Sequence, residues 1–193
     1  LANHSGTKVL CVHAGYLDTV DKVRDQMATV EHFVALEGGK HGWLDYEQLL
    51  AASDGVFERP TIAEGELLSI NYTSGTTSRP KGVMITHRNA WVNVVGTLVH
   101  LPMTPADRFL WSLPMFHANG WTYTWIVTAA AALHVCLRQV DAAAVYRLVN
   151  QERITMLCAA PTVLIAIASG PEEGRMALRR GVRVATAGAP PAA

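Results

Sequence analysis

"YTSGTTSRPKGV" occupies residues 72–83. It grows directly out of the apolar run Leu67–Tyr72, which reads as a β-strand, and a second short strand, Val83–Ile85, follows it. Between them lie glycines, hydroxyl residues, a proline and a single lysine. Gly75 and Gly82 let the backbone approach a ligand closely. Successive main-chain N–H groups in such a loop form an anion-binding concavity. Thr73, Ser74, Thr76, Thr77 and Ser78 add five hydroxyls, and Lys81 adds one mobile positive charge with three donors. Many donors, one cation and little bulk match a polyphosphate. A flexible polar surface loop is the plainer alternative. The abrupt start from an apolar strand, and the lysine held between Pro80 and Gly82, favour the phosphate.

Two familiar phosphate motifs do not fit. A Walker loop reads G-x-x-x-x-G-K-[ST]. The fifth residue after Gly75 is Pro80, and Lys81 is followed by Gly82. No G-x-G-x-x-G follows the strand, which excludes a dinucleotide fold of the usual kind.

Strands and helices alternate on both sides of the loop. Lys8–His13 and Val30–Leu36 are β-rich runs, and Leu17, Val20, Val23 and Met27 recur at helical spacing between them. Trp43–Ala52 is expected to be helical. After the loop, Trp91, Val94, Val95 and Leu98 mark one helix face, with Trp91 assigned to the core. Phe109–Leu113, Leu133–Leu137, Thr155–Ala159 and Val182–Ala187 read as strands. A helix is expected over Gly120–Ala131, another behind a cap at Asp141 with Val145, Leu148 and Val149 inward, and a third from Pro161 to Gly170. This rhythm predicts an α/β fold of layered, mostly parallel sheets flanked by helices. The polar connector at 53–66 divides the chain into two partial sheet units, 1–60 and 61–193. In such folds ligands sit beyond the carboxyl ends of the strands, and the quoted loop lies at one such end.

Composition narrows the class. Half of the 193 residues are hydrophobic, enough for a sizeable core, and only 17% are charged, against about 25% in an average chain. The ends, Leu1 and "APPAA", suggest a piece of a longer protein. The formal net charge is zero, and the basic cluster Arg175, Arg179, Arg180 and Arg183 reads as a solvated helix face, so nucleic acid is not an expected partner. No apolar run reaches the roughly 20 residues that span a bilayer. Cys11, Cys136 and Cys158 sit far apart in apolar runs and read as reduced core thiols of a cytoplasmic protein. No spacing of ligand types argues for a metal site.

The segment Tyr72–Val83 resembles the phosphate-binding signature of the adenylate-forming superfamily: acyl-CoA synthetases, adenylation domains and luciferases. The family pattern is Y-T-S-G-T-T-G-x-P-K-G-V, and this chain departs from it only at Ser78, where the family has glycine. "LPMFHANGW", residues 113–121, resembles the family's second motif in the form most like short- and medium-chain acyl-CoA synthetases. "ATAGAPPA", residues 185–192, resembles the G-[AG]-P loop beside adenine and acyl group.

The resemblance implies a central part of the large N-terminal domain of a two-step ligase. It would activate a carboxylic, fatty acid with ATP and Mg²⁺, and pass the acyl group to coenzyme A. By position, Thr73, Ser74, Gly75, Thr76, Thr77, Ser78 and Lys81 would hold the phosphates, with Thr76 on the metal. His117 would orient the carboxylate, Trp121 and Trp125 would wall the acid pocket, and Gly188, Ala189 and Pro190 would line the adenine site. Lys81 and His117 are the catalytic candidates. The family's ribose-binding Asp, its Y-G-x-T-E segment and its C-terminal domain are expected beyond Ala193, so the chain alone is expected to be inactive. Two alternatives remain at this point: a non-catalytic nucleotide-binding fragment, and an adenylation domain loading a carrier protein. A homo-oligomer is compatible with either.

Overall fold

A computed structural model describes residues 1–73, 80–174, 176–178 and 181–188. The chain divides into two compact units, Leu1–Ala63 with Tyr72–Val83, and Glu64–Asn71 with Met84–Ala193.

The first unit holds helix α1 (Ala2–Ser5), strand β1 (Val9–Val12), helix α2 (Leu17–Asp21), strands β2 (His32–Ala35) and β3 (Leu44–Asp45), and helix α3 (Tyr46–Ala52). The three strands form a parallel sheet in the order β1-β2-β3. The helix expected over Trp43–Ala52 begins later, because Leu44 and Asp45 pair with Val34 and Ala35. Asp45 then caps α3 by accepting from the Gln48 N–H. Val12, Leu17, Phe33, Ala35 and Trp43 make the core. The Arg24 guanidinium lies 4.1 Å over the Phe33 ring, and Trp43 donates its indole N–H to Asp21 at 3.0 Å.

Strands β4 (Leu67–Thr73) and β5 (Lys81–Thr86) pair with each other as a two-stranded sheet.

The second unit continues with helix α4 (His87–His100), strand β6 (Arg108–Trp111), the turn α5 (Ala118–Trp121), helix α6 (Tyr123–Ala129), strand β7 (Leu133–Cys136), helix α7 (Ala142–Gln151), strand β8 (Met156–Cys158), helix α8 (Pro161–Ala168) and strand β9 (Arg183–Ala185). Its four-stranded sheet runs β7-β6-β8-β9, with every pair parallel. The parallel α/β architecture expected from the sequence is the one observed. Side chains alternate across the sheet. Phe109, Trp111, Met156 and Cys158 face one way, onto Val94 of α4 and Tyr123, Ile126 and Val127 of α6. Leu110 and Leu157 face the other way, onto Val145 and Val149 of α7. Both faces are covered, so β6 and β8 read as unbroken apolar runs.

The helix signals are mostly where they were expected. A capping box starts α4: Thr86 Oγ1 accepts from the Asn89 N–H and Asn89 Oδ1 from the Thr86 N–H. Asp141 accepts from the Ala144 N–H at the start of α7, and Pro161 occupies the first turn of α8. Gly170 follows α8 because of space: a Cβ there would lie 2.4 Å from that of Ala142.

Four expectations are corrected. Trp91 is 65% exposed, because the buried stripe of α4 runs through Ala90 and Val94, one position away. Of the three cysteines only Cys158 is in the core; burial pushes its thiol up to about 11, so it is protonated and inert at neutral pH. Arg183 lies on a strand and bonds Asp107 at 2.7 Å and the Pro102 carbonyl at 2.6 Å; Arg175, Arg179 and Arg180 lie outside the described residues. The helix expected over Gly120–Ala131 is interrupted, as described next. Among the described residues no helix is long and apolar enough to cross a membrane.

Candidate functional site

The order β7-β6-β8-β9 contains a switch point. From β6 the chain crosses outward to β7; from β8 it crosses the opposite way to β9. The loops leaving β6 and β8 therefore part, and a crevice opens beyond their carboxyl ends, where such sheets bind ligands. A cavity of about 410 Å³ lies there. Leu113, Pro114, His117, Ala118 and Trp121 enter it from the segment after β6, Ala159 and Ala160 from the end of β8, and Ala187 and Gly188 from the end of β9. Its volume suits a small organic ligand and its lining is largely apolar. Ser112, just before this segment, is buried and donates to the Cys158 carbonyl at 2.7 Å, tying the ends of β6 and β8 together.

The wall formed by residues 118–122 has an unusual backbone. Ala118, Asn119, Gly120, Trp121 and Thr122 all have positive φ, between 46° and 66°. The Thr122 N–H donates to the Ala118 carbonyl at 3.0 Å, closing one left-handed helical turn. L-residues take this conformation at a cost of about 1–2 kcal/mol each, and normally singly. Four of these five residues are not glycine, so the surroundings must hold the turn. At Gly120 a Cβ would stand 2.4 Å from Cζ3 of Trp111, so only glycine lets the turn settle on that indole. Asn119 Oδ1 accepts from Asn71 Nδ2 at 2.7 Å and from Ser69 Oγ at 3.3 Å, both on β4. Thr124 Oγ1 donates to the Asn119 carbonyl at 2.9 Å. Trp111 is fixed in turn by its indole N–H, which donates to Nδ1 of His134 at 3.0 Å, while Nε2 of His134 meets Thr128 Oγ1 at 3.1 Å. Burial holds His134 below the usual histidine range, favouring the neutral ring these bonds require.

The left-handed turn separates two tryptophans expected on one helix face. Trp121 lines the crevice and is 41% exposed. Trp125 lies on α6 beyond the break and packs against the core around Phe109 and Tyr123, so it does not wall this crevice. His117 immediately precedes the turn and lines the crevice, with its N–H donating to the Pro114 carbonyl. Gly188 lines it too, at φ 96°, with no atom near a would-be Cβ. Phe116, between Met115 and His117, is 87% exposed.

Thr73 ends β4 and Lys81 begins β5, both exposed. Ser74, Gly75, Thr76, Thr77 and Ser78 lie outside the described residues, as do Ala189 and Pro190. Among the described residues no group of three or more His, Cys, Asp or Glu could hold a metal ion. Thr76, the residue expected beside magnesium, lies outside the described residues. Ala159 and Ala160 were not anticipated, and Ala187 only as part of the segment 185–192. Their signal was positional: each follows a strand end, where a small side chain leaves room for a ligand.

The family model for the AMP-binding enzyme matches residues 1–193. Among curated proteins, the chain is 39% identical over its whole length to "Probable acyl-activating enzyme 9" of Arabidopsis thaliana and 35% identical to "4-hydroxybutyrate–CoA ligase 2" of Metallosphaera sedula. It spans 37% of the length of each. Among solved structures, a Mycobacterium tuberculosis fatty acyl CoA synthetase superposes with a TM-score of 0.82 at 25% identity, over 96% of this chain and 36% of that one. The N-terminal domain of FACL13 from the same organism, bound to an inhibitor, gives 0.81 at 27% identity, over 97% and 46%. With its whole length matched, the chain belongs to the AMP-binding enzyme family.

Proposed function

We propose that the chain forms the acid- and phosphate-handling part of an acid–thiol ligase. In the first step a carboxylate oxygen attacks the α-phosphorus of ATP, the bond to the β-phosphate breaks, and pyrophosphate leaves. In the second, the thiol sulfur of coenzyme A attacks the acyl carbon, its proton is lost to solvent, and AMP departs. The observation that carries this reading is the apolar crevice at the switch point, lined together by His117, Trp121 and Gly188. These residues belong to the two segments, 113–121 and 185–192, that the resemblance singles out. The relative named as a CoA ligase supports coenzyme A, rather than a carrier protein, as acceptor.

The roles follow from chemistry. The acid's apolar tail enters between Trp121 and the alanines after β8. His117, at the polar rim, hydrogen-bonds and orients its carboxylate. Negative charge then grows on the departing pyrophosphate. Lys81, with Thr73, Ser74, Gly75, Thr76, Thr77 and Ser78, stabilises it by donors fixed in advance. Thr76 would hold the magnesium that comes with ATP, whose charge would offset that of the phosphates, and Gly188, Ala189 and Pro190 would flank the adenine. A fatty acid is the substrate class that suits the apolar lining, and a cytoplasmic setting fits three free cysteines.

The test is acid-dependent exchange of labelled pyrophosphate into ATP by the full-length protein across a panel of aliphatic acids. Exchange is expected, and Lys81→Ala should slow it about 10- to 150-fold, the worth of one charge-assisted hydrogen bond, without loss of fold. No exchange with any acid overturns the activity. An undiminished rate in folded Lys81→Ala removes the lysine from the mechanism.

A further inference from the structure

Strand β4 reads "LLSINYT", residues 67–73, and two polar side chains in it, Ser69 and Asn71, have no part in the mechanism. They are two positions apart, on one face of the strand. Both donate to the same atom, Oδ1 of Asn119, at 3.3 and 2.7 Å. Asn119 sits at φ 52° in the middle of the left-handed turn and does not line the crevice. His117 and Trp121, two residues to either side, do line it. The Asn119 main chain is held as well, its carbonyl accepting from Thr124 Oγ1 at 2.9 Å. The turn thus has a polar anchor outside the crevice lining, and the two lining residues His117 and Trp121 flank that anchor.

We propose that Asn119, through Asn71 and Ser69, is the positioning residue that sets His117 and Trp121 against the acid. This rests on the reading of the crevice as an acid site. A backbone turn this disfavoured has a nearby right-handed alternative. Converting it would swing residues 117 and 121 relative to the floor at Ala159. The two bonds from β4 hold the turn against that conversion. Asparagine is the apt residue, because it tolerates positive φ better than other non-glycine residues and brings a side-chain oxygen of its own.

The experiment uses the full-length protein and compares Asn119→Ala, Asn119→Asp and Asn71→Ala with the wild type in pyrophosphate exchange. Asn119→Ala is expected to raise KM for the acid about tenfold while KM for ATP stays within about twofold, from the loss of two neutral hydrogen bonds. Asn119→Asp keeps an acceptor for both donors and should restore most of the acid affinity. Asn71→Ala should have a smaller effect that does not add to that of Asn119→Ala, because both remove one shared contact. An unchanged KM for the acid in Asn119→Ala, or equal rises for acid and ATP, overturns the proposal. If the wild type activates no acid, the functional reading has failed and the anchor is decided by hydrogen exchange. The amides of Gly120 and Thr122, bonded to the His117 and Ala118 carbonyls, should then exchange faster in Asn119→Ala and regain protection in Asn119→Asp. Unchanged protection refutes the anchor.

Discussion

Two glycines beside the crevice test whether backbone or space matters more. Gly120 has φ 61° and a Cβ there would meet Trp111 at 2.4 Å; Gly188 has φ 96° and meets nothing. Gly120→Ala adds overpacking to backbone strain and should destabilise the protein by about 2–4 kcal/mol in urea unfolding. Gly188→Ala carries the backbone penalty alone and should cost about 1 kcal/mol. Equal losses for the two would show that the indole yields. The sequence placed Gly120 at the start of an ordinary helix, and neither the five positive φ values nor the contact with Trp111 could be read there.

At the scale of elements, the span expected as one helix over Gly120–Ala131 is a left-handed turn followed by α6. Its composition, rich in apolar and small residues, is compatible with either. Tertiary bonds to β4 and the close seat of Gly120 on Trp111 outweigh helix propensity. The neighbouring strands join in through His134 of β7, which accepts from the indole of Trp111 on β6 and meets Thr128 of α6. Burial lowers its pKa from 6.5, so the folded state favours the neutral ring. Its contribution is complete above pH 6.5 and is lost as pH falls from there through the folded-state pKa. His134→Asn supplies an acceptor that does not titrate. Melting temperatures taken from pH 7.5 to 5 should therefore fall less in this variant than in the wild type; parallel curves would remove His134 as a source of the pH dependence.

Across the whole second unit, the amino ends of three strands meet at Asp107. Its carboxylate accepts from the Thr104 N–H at 2.8 Å, Thr155 Oγ1 at 2.7 Å and Arg183 at 2.7 Å. Burial pushes its pKa up, but the hydrogen bonds from Thr155 and Thr104 and the charge of Arg183 bring it below the ordinary 3.8. A depressed carboxylate contributes stability above its unfolded pKa and loses it as pH falls through the folded value. Acid unfolding should therefore steepen below about pH 4 in the wild type. Asp107→Asn should be less stable at pH 7 and show a shallower decline below pH 4, followed by circular dichroism. An unaltered acid limb would assign acid sensitivity elsewhere. This cluster lies at the end of the sheet opposite the crevice, so the substitution is expected to leave ligand binding at the crevice intact in folded protein.

What was legible in the sequence follows from local physics. Apolar runs bounded by Gly, Pro and polar residues located the strands, because a strand covered on both faces must be apolar at every position. Asp141 and Pro161 announced their helices, since an unpaired helix N-terminus needs an acceptor or a residue without an N–H. The loop at 72–83 suggested phosphate binding through donor count and one lysine, but its residues 74–79 lie outside the described residues. Periodicity could not place Trp91, because a stripe one position away, Ala90 and Val94, faces the sheet. Neither could it fix the strand order β7-β6-β8-β9, which depends on pairings between segments far apart in the chain. That order alone makes the loops after β6 and β8 diverge. The divergence brings Ala159 and Ala160 opposite His117 and Trp121, and the bonds from Ser69 and Asn71 then hold that wall in a backbone form its own residues disfavour.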